Sequence, residues 1–177
     1  KRHCGFPQAV LALGDWAVID SYGNLTGKKS NFKICRERKE LIKSPFLIQD
    51  GYAAILWSKL TPIPQTTLFR KKDAEFINWF DPKFFHACSD TDFFARIGSL
   101  GPIVYVPKIV VHYRLGHSSI CDKKFLAEYS RFLLLEKHLS GFNSKNKDLK
   151  EQLQIRMRST LNQLAKLKLK GINIPER

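Results

Sequence analysis

Cys88-Ser89-Asp90-Thr91-Asp92-Phe93-Phe94-Ala95-Arg96 decides the fold, together with Gly101-Pro102-Ile103-Val104-Tyr105-Val106-Pro107 and Val111-His112-Tyr113-Arg114-Leu115-Gly116-His117-Ser118-Ser119. Two carboxylates, Asp90 and Asp92, open an apolar run of helical length that carries Arg96. The helix dipole favours negative charge in a first turn, so the spacing predicts a helix with both carboxylates at its start. A Gly-Pro break then leads into residues 103–106, a Pro-Lys turn and residues 109–113, predicted as two separate short strands.

Upstream, Phe80-Asp81-Pro82-Lys83-Phe84 leads into this stretch, preceded by a short helix expected over 72–79 and a β-rich run over 65–70. Ser44-Pro45 offers a cap and a proline at the first helical position. Apolar residues at 47, 48, 52, 55, 56 and 60 then predict a helix over 46–60, stopped by Pro62 and Pro64. Residues 27–43 are basic and polar and read as a surface connection. Two apolar runs, 9–13 and 16–20, are separated by Gly14-Asp15 and followed by Tyr22-Gly23-Asn24, which predicts two strands and a turn.

Downstream of Cys121 the pattern becomes helical. Asp122 is the expected cap of a helix to Ser140, with Phe125, Leu126, Tyr129, Phe132, Leu133 and Leu135 as its apolar stripe. A second helix is expected over 147–170, apolar at 149, 153, 157, 161, 164 and 167 or 169 and flanked by Lys150, Arg156, Arg158, Lys166, Lys168 and Lys170. A basic amphipathic helix can lie on a membrane surface or pack on its own domain, and the sequence leaves both open.

At 177 residues, 44% apolar and 12% aromatic, the chain suits one globular domain with a sizeable core. It has no apolar run long enough to cross a membrane. Cys4, Cys35, Cys88 and Cys121 lie far apart without a C-x-x-C pair, which argues for reduced thiols rather than a disulfide framework or zinc site. The five histidines show no metal-binding spacing, so no metal ligand is expected among them. The net charge of +14 divides into +5 over residues 1–43, +2 over 44–121 and +7 over 122–177. Because the excess sits on the flanks rather than with the organised centre, it argues against a nucleic-acid groove and for solubility or an anionic surface.

The whole succession resembles the inverting family 2 glycosyltransferases of GT-A fold. Their pattern runs roughly acid-Asp-x-Asp/Glu-hydrophobic-x-x-Arg, Gly-x-Ile-x-Tyr-Val-Pro, then Tyr-Arg-x-His and serines. Leu68-Phe69-Arg70-Lys71 and Phe80-Asp81-Pro82-Lys83-Phe84 fit the segment before the motif, and Gly14-Asp15 through Gly23-Asn24 fits an earlier one. The resemblance covers about residues 9–120. It implies an α/β fold: the acceptor-side portion of a GT-A, or nucleotide-diphospho-sugar transferase, domain over 1–121, lacking its nucleotide-binding half, and a helical extension over 122–177.

Inverting transfer needs one carboxylate to take the acceptor hydroxyl's proton as that oxygen attacks the anomeric carbon. The resemblance assigns this role to Asp90. Ser89 stands where the family carries an acid, which keeps the base and removes a charge that would raise its pKa. Arg70, Trp79, Asp92, Arg96, Arg114 and His117 are the implied substrate-side residues. Trp79 replaces a glycine before Phe-Asp and either packs in the core or stacks on a sugar. Asp92 is alternatively a plain first-turn charge, and Arg96 its i+4 ion-pair partner. Arg114 and His117 match an element that can face the departing diphosphate, with one inserted residue at Leu115-Gly116.

The implied partners are a nucleotide-sugar donor and a glycan or lipid-linked glycan acceptor. A divalent cation, Mg or Mn, is implied for the complete domain, but its Asp-x-Asp is absent here, since Asp90-Thr91-Asp92 belongs to the base motif. The expected location is cytoplasmic, with peripheral contact to the inner membrane face through 147–170. The chain alone is expected not to turn over. The competing expectations are a basic α/β module for an acidic partner or nucleic acid, and a non-catalytic transferase-like subunit.

Overall fold

β1 (Leu11–Ile19) is the strand around which a five-stranded mixed sheet is built. The computed structural model describes residues 5–29, 44–57, 59–84, 87–114, 123–141 and 146–170. The remaining elements are β2 (Leu25–Lys29), β3 (Phe46–Ile48), α1 (Gly51–Leu56), β4 (Thr67–Phe69), α2 (Lys71–Phe76), α3 (Ser89–Gly98), β5 (Ile103–Arg114), α4 (Lys124–Ser140) and α5 (Lys147–Leu169). The sheet order is β2-β1-β5-β3, with β4 also on β1. β1 and β5 are parallel, and the other pairings are antiparallel.

The chain divides into two compact units, one of residues 1–79 and 93–117, the other of 80–92 and 118–177. The first holds the sheet. Leu11, Leu13, Ala17 and Val18 of β1 are buried, as are Ile103 and Tyr105 of β5 and Phe93, Phe94 and Ile97 of α3. Phe93 packs edge-on against Phe69 and Phe94, at centroid distances of 5.0 and 5.3 Å. α3 ends where it meets α1. A Cβ on Gly98 would stand 2.9 Å from the Gly51 carbonyl carbon, so only glycine permits this backbone approach.

Three expected elements differ. The two N-terminal strands are one, because β1 runs straight through Gly14-Asp15. Likewise 103–114 is a single strand: β1 partners both halves, and the register jumps from Gly14↔Val106 to Asp15↔Ile109. Pro107 and Lys108 form the resulting bulge, where a missing N–H breaks no ladder bond. The helix expected over 46–60 is shorter. Residues 46–48 pair with β5 as β3, and the helix starts after Asp50, whose Oδ1 accepts the Ala53 N–H at 2.8 Å. Pro45 therefore precedes a strand rather than opening a helix.

In the second unit α4 packs on α5. Phe125, Leu134 and Leu135 of α4 and Leu149 and Leu153 of α5 are buried. Asn146 caps α5 through the Leu149 N–H at 3.0 Å. The expected cap Asp122 lies outside the described residues, and Lys123 is the residue before α4. The apolar pattern of α5 is only partly covered, since Leu161 is 47% and Leu169 87% exposed.

Candidate functional site

Asp90 lies half-buried in the first turn of α3. Its Oδ1 accepts the Thr91 N–H at 2.7 Å, with Thr91 Oγ1 at 3.4 Å, and among the described residues it enters no salt bridge. Cys88, half-buried and outside any disulfide, precedes the helix with φ +63°, and its carbonyl accepts the Asp92 N–H at 2.9 Å.

Asp92, two residues on, has another environment. It is wholly buried, and its Oδ1 receives Lys137 Nζ at 2.8 Å and lies 3.1 Å from His138 Nε2. Lys137 also reaches Asp81 Oδ2 at 2.8 Å and sits 5.2 Å from the Phe84 ring centroid. The lysine thus bridges two carboxylates, which is how a buried charge becomes tolerable. Its hydrogen bond is the main cause that holds the Asp81 carboxyl below the ordinary value of 3.8; the Lys83 N–H and the lysine charge add to it, and burial opposes it. Asp92 is therefore no solvated first-turn charge. The last turn of α4 and the segment 80–92 are joined through it.

The remaining residues fall elsewhere. Arg96 extends its guanidinium to the carbonyls of Ile77 and Trp79, each at 2.7 Å. Trp79 is 41% exposed, which sets core packing aside, and both it and Asn78 adopt left-handed φ, +54° and +59°. Arg70 precedes α2 and donates to the Pro7 carbonyl. Arg114 donates to the carbonyls of Asp20 and Ser21 at 2.9 and 2.8 Å. There the Asp20 carboxylate takes the N–H groups of Tyr22 and Asn24 and the Asn24 amide, and the Asn24 bonds hold its pKa down. His117 lies outside the described residues. The fold thus brings Trp79 and Arg96 together directly and keeps Asp90 and Asp92 in one helical turn, while Arg70 and Arg114 bind backbone at two other places.

Sequence reasoning missed Lys137, His138 and Asp81 as partners of Asp92. It also missed Asp15, buried in the central strand, whose two carboxylate oxygens each lie 2.8 Å from the buried Tyr105 hydroxyl that donates to them. The one available signal was Gly14-Asp15 itself, a charge inside an otherwise apolar run.

Asp90 and Asp92 do not fit a divalent ion as a pair, because Asp92 already gives its Oδ1 to a lysine and a histidine in a closed environment. Among the described residues no group of three His, Cys, Asp or Glu side chains could hold a metal, and no helix is long and apolar enough to cross a membrane. No protein-family model matches the chain, and a search of curated proteins finds no match.

Proposed function

We propose that the chain supplies the acceptor side of an inverting, family 2-like glycosyltransferase of GT-A fold, with Asp90 as the general base. The observation that carries this reading is the inequality of the two carboxylates. Asp92 is committed to Lys137 and His138, whereas Asp90, in the same turn, is half-buried and, among the described residues, is held by Thr91. A proton acceptor needs that second arrangement: an oxygen fixed by a backbone N–H, with lone pairs left for a hydroxyl. The order of elements agrees with the resemblance: strand, Arg70, short helix, the Phe80-Asp81 turn, then the acidic helix and a strand.

In this reading the acceptor hydroxyl gives its proton to Asp90 as its oxygen bonds to the anomeric carbon, and the nucleoside diphosphate leaves from the opposite face. The divalent cation of the complete domain would steady that leaving group. This chain's own part is to bind the acceptor and take the proton. An anionic membrane surface is the further partner of the reading, supported by exposed Arg158, Lys166 and Lys168 on α5 beside exposed Leu161 and Leu169.

The test is Asp90→Asn in the protein at its native length, with transfer followed from nucleotide-diphosphate sugars to glycan acceptors. The amide keeps the shape and cannot take the proton, so transfer should fall by at least ~10²-fold with donor binding unchanged. Retention of more than a tenth of the turnover removes Asp90 from the site.

A further inference from the structure

The turn after α2 is built in an uncommon way. Asn78 and Trp79 both lie in the left-handed region, where a residue bearing a Cβ is strained and glycine is not. Two such residues in succession persist only where their surroundings over-determine them. Here the Trp79 N–H bonds the Ala74 carbonyl at 2.9 Å and the Asn78 N–H the Glu75 carbonyl at 3.0 Å. The Arg96 guanidinium then grips the carbonyls on either side of Asn78, those of Ile77 and Trp79. Two charge-assisted bonds from a planar fork fix a geometry that one flexible ammonium would not. The strained turn holds a tryptophan outward, 41% exposed, with the exposed amide-bearing Asn78 next to it.

We infer that Trp79 is a stacking platform for a pyranose ring of the acceptor, and that Arg96 is the positioning residue that holds it. A pyranose has an apolar C–H face and a rim of hydroxyls, which match an indole face and a neighbouring carboxamide. A rigid ring also loses little entropy when it binds, which makes the strain useful. This deepens the acceptor-side reading and rests on it for the choice of ligand. Arg96 acts through backbone and does not touch the sugar.

The experiment reads binding without turnover. The 177-residue chain is applied to an array of immobilised pyranose glycans, and the strongest ligand is titrated by tryptophan fluorescence. Trp79→Ala should abolish retention, and Arg96→Met should weaken it about 10-fold with the other two tryptophans unperturbed. The deciding measurement is a cycle with Asn78→Gly, which removes the strain at position 78 and so lowers the turn's need for the guanidinium. If Arg96 works by positioning, Arg96→Met costs less than 3-fold in the Asn78→Gly background, measured against Asn78→Gly alone. A general structural role would instead give the same loss in both backgrounds.

No retention of any pyranose, or retention that survives Trp79→Ala, overturns the inference. So does Trp79-dependent binding to a protein or vesicle in place of a glycan. The two readings fail separately. Glycan binding equal in Asp90→Asn and wild type, with no transfer by either in the protein at its native length, keeps the platform and removes the transferase. Transfer by Trp79→Ala at unchanged KM does the reverse.

Discussion

Lys137 ties two carboxylates of the second unit, because it stands between Asp81 and Asp92. Lys137→Met would leave the wholly buried Asp92 with His138 and no lysine, and should cost about 3 kcal/mol in urea unfolding. A loss below about 0.5 kcal/mol would show an ordinary surface pair instead. The same lysine sets a pH dependence. Asp81 has a depressed pKa in the folded state, so its contribution is fully present above 3.8 and is lost as pH falls through the lower folded value. Stability should therefore fall below pH 4, and less steeply in Asp81→Asn. None of this was legible from residues 88–96, since Asp92 and His138 lie 46 positions apart and no local pattern ties them. The exposed Trp79 was half legible: the departure from glycine was visible, but the guanidinium that makes it tolerable was not.

At the scale of elements, helices with side-chain or dipole signals were readable and strand boundaries were not. α3 carries its acidic first turn, and α5 follows Asn146 and keeps its apolar period at Leu149 and Leu153. The missing strand β3 shows the converse. Phe46-Leu47-Ile48 has no period to reveal a strand, and Asp50-Gly51, the true start of α1, lies inside the helix expected over 46–60, where glycine has poor propensity. Propensity yields there to packing, for a Cβ on Gly51 would stand 2.5 Å from the Ile103 side chain. The facing glycine gives a sharper test. Gly98→Ala would drive a Cβ into the Gly51 backbone and should destabilise by about 1–3 kcal/mol, seen as a lower Tm. An unchanged Tm would mean that α1 and α3 can separate without cost.

For the molecule as a whole, the open question of α5 divides into two measurable parts. Because Leu149 and Leu153 are buried, ending the chain after Ser140 should lower Tm and raise binding of an apolar dye. The exposed Arg158, Lys166 and Lys168 can act elsewhere, each worth ~1 kcal/mol near an anionic surface. Their reversal to glutamate should release the chain from phosphatidylserine vesicles in a sedimentation assay. Failure of the unaltered chain to bind at low salt would end the membrane version. The central pair of strands carries a consequence of a different kind. Asp15 and Tyr105 are 90 positions apart, so β5 must be found across half the length of the chain before the sheet closes. The β1–β2 hairpin, tied at Asp20 and Asn24, is local and forms on the microsecond scale, ~1–10 μs. The parallel pairing is slow by comparison, and until it forms the hairpin exposes the apolar faces of Leu11, Leu13 and Val18 to any neighbour. Refolding yield should therefore fall as protein concentration rises, even where the folded chain is fully soluble.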